Sequence, residues 1–173
     1  MSGPGNSHYF DGAPQSATAE RTVELALPDG TVRLTSDAGV FSADKIDPGT
    51  RTLLLEVPPP DATVLTALDI GCGYGPITVT LARRAPQATV WGVDVNTRAL
   101  DLARRNADDL GLRNVRVALP DEVDPEIELD EIWSNPPIRI GKAALYDLLE
   151  RWIGRLRPGG HAYLVVHKHL GSD

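Results

Sequence analysis

Apolar positions recur along this chain with two different periods. Val23, Leu25 and Leu27 alternate with polar or small residues, Pro28-Asp29-Gly30 makes a turn, and Val32 and Leu34 resume the alternation. Two period-2 runs around such a turn predict a β-hairpin. Asp47-Pro48 reads as an N-cap followed by proline at the first helical position, opening a helix through about Glu56 that Pro58-Pro59-Pro60 stops. From Val64 onward, short apolar runs alternate with amphipathic ones. Val64–Ile70, Thr89–Val93, Val115–Leu119, Ile132–Ser134 and Ala162–Val166 are predicted strands, and Pro76–Arg84, Thr97–Leu110 and Lys142–Arg157 predicted helices. Leu145, Leu148, Leu149, Trp152, Ile153 and Leu156 make a stripe along the last helix, which Pro158-Gly159-Gly160 closes. Apolar strands without alternation, joined by helices, require a mostly parallel sheet covered on both faces. The expected fold is therefore α/β, a mostly parallel sheet with helices on both faces, preceded by an N-terminal hairpin and helix.

Residues 1–20, rich in Gly, Pro, Ser and Ala around Tyr9-Phe10, are expected to form a flexible leader. Residues 21–173 are expected to be one domain, with the hairpin and helix in 21–60 and a ligand-binding core in 61–173. A front piece of about 60 residues buries too little surface to stand alone. Composition narrows the class. Hydrophobic residues make up 42% and charged residues 24%, as in folded globular proteins. No apolar run approaches the ~20 residues of a membrane span, and the first residues lack the basic and apolar regions of a secretory signal. The single cysteine, Cys72, excludes an internal disulfide framework and a Cys-rich zinc site, and suits a reducing cytoplasm. Seventeen Lys and Arg against 24 Asp and Glu leave a net charge of -7, which disfavours indiscriminate phosphate binding but leaves room for a local basic rim.

Chemistry concentrates in two loops. Asp69-Ile70-Gly71-Cys72-Gly73-Tyr74-Gly75-Pro76 joins the first strand of the sheet to its first helix. Glycine there permits sharp turning and close approach of a ligand to the backbone. The spacing is G-x-G-x-G, not the dinucleotide G-x-G-x-x-G, and no P-loop lysine follows. Asp94, in Trp91-Gly92-Val93-Asp94-Val95-Asn96, stands at the tip of the second strand, where a carboxylate accepts from both hydroxyls of a ribose. Asn96 reads as the cap of the next helix. Asp121 is either an acceptor for an adenine amino group or one solvated acid among several. The second loop is Ser134-Asn135-Pro136-Pro137-Ile138 after the fourth strand, on the same sheet edge.

This combination resembles the class I S-adenosylmethionine-dependent methyltransferases, in the subset whose Asn-Pro-Pro-x motif serves nitrogen methylation. Thr35-Ser36-Asp37-Ala38-Gly39-Val40-Phe41-Ser42, Ile46-Asp47-Pro48-Gly49-Thr50 and Val165-Val166-His167-Lys168-His169-Leu170-Gly171 extend the likeness to the ribosomal RNA small subunit methyltransferase C family, from about Tyr9 onward. The resemblance implies a Rossmann-like fold, S-adenosylmethionine as cofactor, S-adenosylhomocysteine as product and a guanine exocyclic amine of small-subunit rRNA as target. It implies that Asp69, Gly71, Cys72, Gly73 and Gly75 hold the methionine part, that Asp94 and Val95 hold the nucleoside, and that Asn135, Pro136 and Pro137 form the catalytic motif beside it. Phe41 would lie over the site, or else plug the core between hairpin and sheet. Ile138 stands where the family commonly has an aromatic residue. Arg139, Lys142 and Lys168 would supply the basic rim for RNA, and the helical arginines 83, 84, 104, 105, 151, 155 and 157 solvated faces. His167 and His169 have no carboxylate or cysteine beside them, so no metal is expected. Fuller family members carry an extra N-terminal domain, and the fold normally continues past the fifth strand into a helix and antiparallel hairpin; the last strand is expected at an edge. A glutamine or small-molecule N-methyltransferase and an inactive cofactor-binding scaffold are the alternative readings.

Overall fold

The computed structural model describes residues 18–136 and 141–166. Strands β1 (Arg21–Leu27) and β2 (Gly30–Ser36) pair antiparallel in full register, from Arg21 opposite Ser36 to Leu27 opposite Gly30. Their alternation buries Val23, Leu25, Leu27, Val32 and Leu34 and exposes the polar positions between. Helix α1 (Pro48–Glu56) begins where its proline and cap foretell, with the Asp47 carboxylate accepting from the first free N–H groups.

Five parallel strands follow: β3 (Thr66–Ile70), β4 (Thr89–Val93), β5 (Val115–Ala118), β6 (Leu129–Ser134) and β7 (Leu156–Leu164), in the spatial order β5-β4-β3-β6-β7. Helices α2 (Pro76–Arg84), α3 (Thr97–Asp109) and α4 (Gly141–Ile153) connect them. Alternate residues divide the two faces. Ala67, Val90 and Trp133 share one core with α1, α2, α3 and the hairpin, whereas Leu68, Ile70, Val93 and Ile132 meet Trp152 of α4. The front piece and the sheet therefore share one core. Asn106 of α3 reinforces that union, donating to the carbonyls of Thr35 and Tyr74 at 2.9 and 2.8 Å and accepting from Thr35 N at 2.7 Å.

Strand order reverses between β3 and β6, and in open α/β sheets that switch point opens a crevice at the carboxyl ends. Ile70 is the register partner of Ser134, whose Oγ donates to the Ile70 carbonyl at 2.8 Å. The glycine loop and Asn135 thus leave the sheet side by side.

The strand predicted from Val64 starts at Thr66, and the one predicted from Ile132 starts at Leu129. The helix predicted through Arg157 stops at Ile153, and Leu156 opens β7 instead of closing the stripe. Gly154 and Arg155 make the turn, and Leu129 N donates to the Arg155 carbonyl at 2.9 Å, so β6 captures the chain there. Pro158-Gly159-Gly160 then lies within β7 as an irregularity: the register steps from Leu129 opposite Leu156 to Glu131 opposite His161. A Cβ on Gly160 would come within 2.9 Å of the Asp130 carbonyl oxygen. Strands β5 and β7 form the edges of the five described. Arg84 is not a solvated arginine. Its side chain is 7% exposed, forks onto both oxygens of Asp29 at 3.0 and 2.7 Å and reaches the Leu54 carbonyl at 3.0 Å. No described helix is long and apolar enough to cross a membrane.

Candidate functional site

The crevice is a cavity of about 580 Å³ walled by the glycine loop, the ends of β3, β4 and β6, the start of α1 and one face of α4. Gly71 and Gly73 carry φ of 71° and 56°, the left-handed region that favours glycine. A Cβ placed on Gly73 would meet nothing within 4 Å, so that position opens onto the cavity. The loop is fastened by its own protein. Gly71 N and Cys72 N donate to the Val93 carbonyl at 2.8 and 3.0 Å, and Gly73 N donates to Asp94 Oδ2 at 2.9 Å. Those three donors are committed, whereas a phosphate cradle needs free N–H groups.

Asp94 also accepts from Asn96 N at 2.9 Å through Oδ1, and it lines the cavity, where a carboxylate can accept from hydroxyls. Burial raises its carboxyl above the ordinary range. Asp47, Asp94 and Asp147 line the cavity with Arg151 as the one cation among its described residues. A ligand carrying positive charge and hydroxyl groups suits that wall better than a polyphosphate does. S-adenosylmethionine, with its sulfonium, ammonium and ribose hydroxyls, fits it.

Several expected contacts are placed differently. Asp69 does not line the cavity: it is wholly buried beneath the loop, where Oδ2 accepts from Thr78 Oγ1 at 2.6 Å and Oδ1 has no partner. Burial pushes its carboxyl up to about 7. Gly75, outside the lining, is the left-handed residue before α2, and a Cβ there would lie 3.3 Å from Ala103 Cα; its smallness serves helix packing. Asp121 is turned away from the cavity and pairs with Arg151 at 2.8 Å, because the short 3-10 turn Pro120–Glu122 presents Pro120 instead. Lys142 is exposed on the first turn of α4 and does not line the cavity. Cys72 and Val95 do line it; burial pushes the Cys72 thiol up, while Val95 is exposed. Phe41 is 60% exposed at the mouth, so it does not plug the core. Its loop is tied down by Asn96 Nδ2 on the Gly39 carbonyl at 3.1 Å and by the Tyr74 hydroxyl on the Ser42 carbonyl at 3.4 Å. Pro137, Ile138, Arg139, His167, Lys168 and His169 lie outside the described residues.

Asn135 lines the cavity immediately after β6. Its Nδ2 donates to Asp47 Oδ2 at 2.7 Å and to Thr50 Oγ1 at 3.0 Å. An ionised carboxylate only accepts, so the nitrogen of the amide faces α1 and the oxygen is the atom left for a ligand. Pro136, buried, follows it and is not among the residues that line the cavity.

Asp47 and Thr50 are functional candidates that sequence reasoning missed, because the cap role of Asp47 already accounted for it. Asp147 and Arg151 on α4 were equally hidden, although their spacing of four from each other puts them on one helical face.

Comparison with known proteins follows the same lines. Residues 31–173 match the family described as Methyltransferase small domain. The chain is 34% identical over 172 residues to the uncharacterized protein YbxB of Bacillus subtilis (strain 168), covering 96% of this chain and 84% of that protein. It is 37% identical over 170 residues to Ribosomal RNA small subunit methyltransferase C of Pseudomonas putida (strain GB-1), covering 93% of this chain and 50% of that protein. The chain thus spans about half the length of that rRNA methyltransferase. Among solved structures it is similar to the T. thermophilus 16S rRNA N2 methyltransferase RsmC in complex with AdoMet and guanosine, with a TM-score of 0.74 and 26% identity over 91% of this chain and 44% of that one.

Proposed function

We propose that this chain, which belongs to the methyltransferase small domain family, methylates an amine nitrogen held between Asn135 and Pro136. It is an S-adenosylmethionine-dependent methyltransferase; its target in our reading is a guanine exocyclic amine of small-subunit rRNA. The observation that carries this is the orientation of Asn135, whose amide nitrogen is engaged by α1 next to the glycine loop.

When bound, S-adenosylmethionine supplies an electrophilic methyl group on a sulfonium. Gly73, open to the cavity, and Gly71 on its wall would take its methionine part, Asp94 would accept from its ribose, and Val95 would offer an apolar surface to its base. An exocyclic amine is a poor nucleophile because its lone pair is delocalised into the ring. Asn135 Oδ1 and the Pro136 carbonyl each accept one of its N–H groups, which localises the lone pair. Positive charge then grows on nitrogen facing these two acceptor oxygens. The proton, acidic after transfer, leaves to water. Phe41 at the mouth gives a flat apolar contact for the base. We take residues 21–173 as one domain, working in the cytoplasm where its ribosomal substrate resides; the core shared by hairpin, α1 and sheet supports the first point.

The test is transfer of tritiated methyl to small ribosomal subunits. Wild type is expected to label rRNA, and Asn135→Ala to lose roughly 100-fold in turnover with S-adenosylmethionine affinity within about two-fold. Label in a ribosomal protein instead would transfer the reading to a glutamine amide. Tight cofactor binding without any transfer would leave a scaffold.

A further inference from the structure

We propose that Asp47 and Thr50 are positioning residues for methyl transfer, clamping the Asn135 side-chain amide so that its oxygen is the atom presented to the target amine. This deepens the function proposed above and rests on the role given there to Asn135.

One oxygen of Asp47, Oδ2, takes three donors: Gly49 N at 2.8 Å, Thr50 N at 3.2 Å and Asn135 Nδ2 at 2.7 Å. Capping α1 accounts for the first two, and serine would cap as well as aspartate. The third bond reaches across 88 residues to the end of β6, and capping has no use for it. Thr50, one turn into the helix and buried, takes the other amide donor at 3.0 Å. Both hydrogens of the amide are thereby engaged, so a flip would break two bonds and set oxygen against oxygen. The two acceptors sit on the first turn of one helix, a rigid mount. Glycine at 49 makes the approach feasible: a Cβ there would stand 3.0 Å from Asp47 Oδ2, 3.2 Å from Asn135 Oδ1 and 2.9 Å from Val165 Cγ1. A charge-assisted bond at the nitrogen end also draws electron density onto Oδ1, which strengthens it as an acceptor.

Three variants separate the clamp from the cap. Asp47→Ser keeps the cap acceptor and is too short to reach Asn135; Asp47→Asn keeps one oxygen at the reach that serves cap and clamp together; Thr50→Val removes only the second clamp bond. Turnover of Asp47→Ser at saturating S-adenosylmethionine is expected to fall roughly ten-fold or more with the thermal midpoint as in wild type, while any loss of cofactor affinity from the missing charge is shared with Asp47→Asn. Asp47→Asn is expected to recover most of that loss, and Thr50→Val to fall between. Wild-type turnover in Asp47→Ser overturns the proposal, as does a loss there matched by melting or fully recovered at saturating S-adenosylmethionine. Hydrogen exchange of the Asn135 side-chain amide, followed by NMR, reads the clamp without turnover. Protection is expected in wild type and Asp47→Asn and its loss in Asp47→Ser; solvent-rate exchange in wild type overturns the clamp outright. A protected amide in a wild type that methylates no amine would instead remove the function proposed above and leave the clamp standing.

Discussion

Asp69 is a carboxyl group with a single side-chain hydrogen bond, from Thr78 Oγ1, and no exposure. Thr78 reaches it because Gly92, the register partner of Asp69 on β4, leaves the space: a Cβ at 92 would lie 2.8 Å from Thr78 Oγ1 and 3.3 Å from Cys72 Sγ. Burial raises the folded-state value of Asp69 to about 7 from an ordinary 3.8, so the folded chain holds a proton that the unfolded chain has released. Stability from that protonated carboxyl is fully present below the unfolded value and is lost as pH rises through the folded one. Denaturant titrations between pH 4 and 8 are expected to show wild type losing on the order of a few kcal/mol relative to Asp69→Asn. Parallel pH profiles for the two would contradict the assignment. At this scale the place of Gly71, Gly73, Asp94 and Asn135 on one cavity wall was legible because strand ends and turns are written in local spacing. Asp69 was misplaced because spacing gives position along the strand, not the face on which burial wins. Asp47 was half legible, since its cap bonds are local and its third bond is not.

Among the elements, the hairpin, α1 and α2 are joined by Arg84, whose fork matches the Asp29 carboxylate while its remaining nitrogen takes the Leu54 carbonyl. The Arg84 hydrogen bond holds Asp29 down to about 2. Stability from that pairing is present above the ordinary carboxylate value and is lost as pH falls through about 2. Lysine keeps the charge and loses the fork, so Arg84→Lys is expected to cost about 1 kcal/mol after allowance for the partly exposed Asp29, and to unfold at higher pH in acid. An unchanged acid limb in circular dichroism would count against the clamp. The sequence predicted Pro76–Arg84 and Thr89–Val93 to the residue, since a proline start or a turn bounds each. The boundary of α4 was hidden because Leu156 continues the helical spacing of the stripe, and only its pairing with Leu129 assigns it to β7.

The molecule as a whole gathers its cavity from pieces far apart in sequence: α1 and its preceding loop, the glycine turn, the tip of β4, the end of β6 and one face of α4. The strand order that gathers them was legible only as a class, because alternating elements announce a parallel sheet but not which neighbours pair. A ligand that binds only the folded chain raises its stability by about 2.7 kcal/mol at a hundred times its dissociation constant. S-adenosylhomocysteine is expected to produce that gain in thermal or chemical denaturation, and NAD none, because the backbone donors of the glycine loop are already engaged. A gain with NAD and none with S-adenosylhomocysteine would sink the reading of the loop.

The carboxylate that fastens Gly73 belongs to the tip of β4, so the protein's own chain supplies the tether that shapes the loop. In the function proposed above, a nucleoside would meet a seat shaped by such bonds and surrender little chain entropy on arrival. Such a seat would receive reactant and spent product alike, and their exchange is expected to follow escape from the pocket, not its rebuilding.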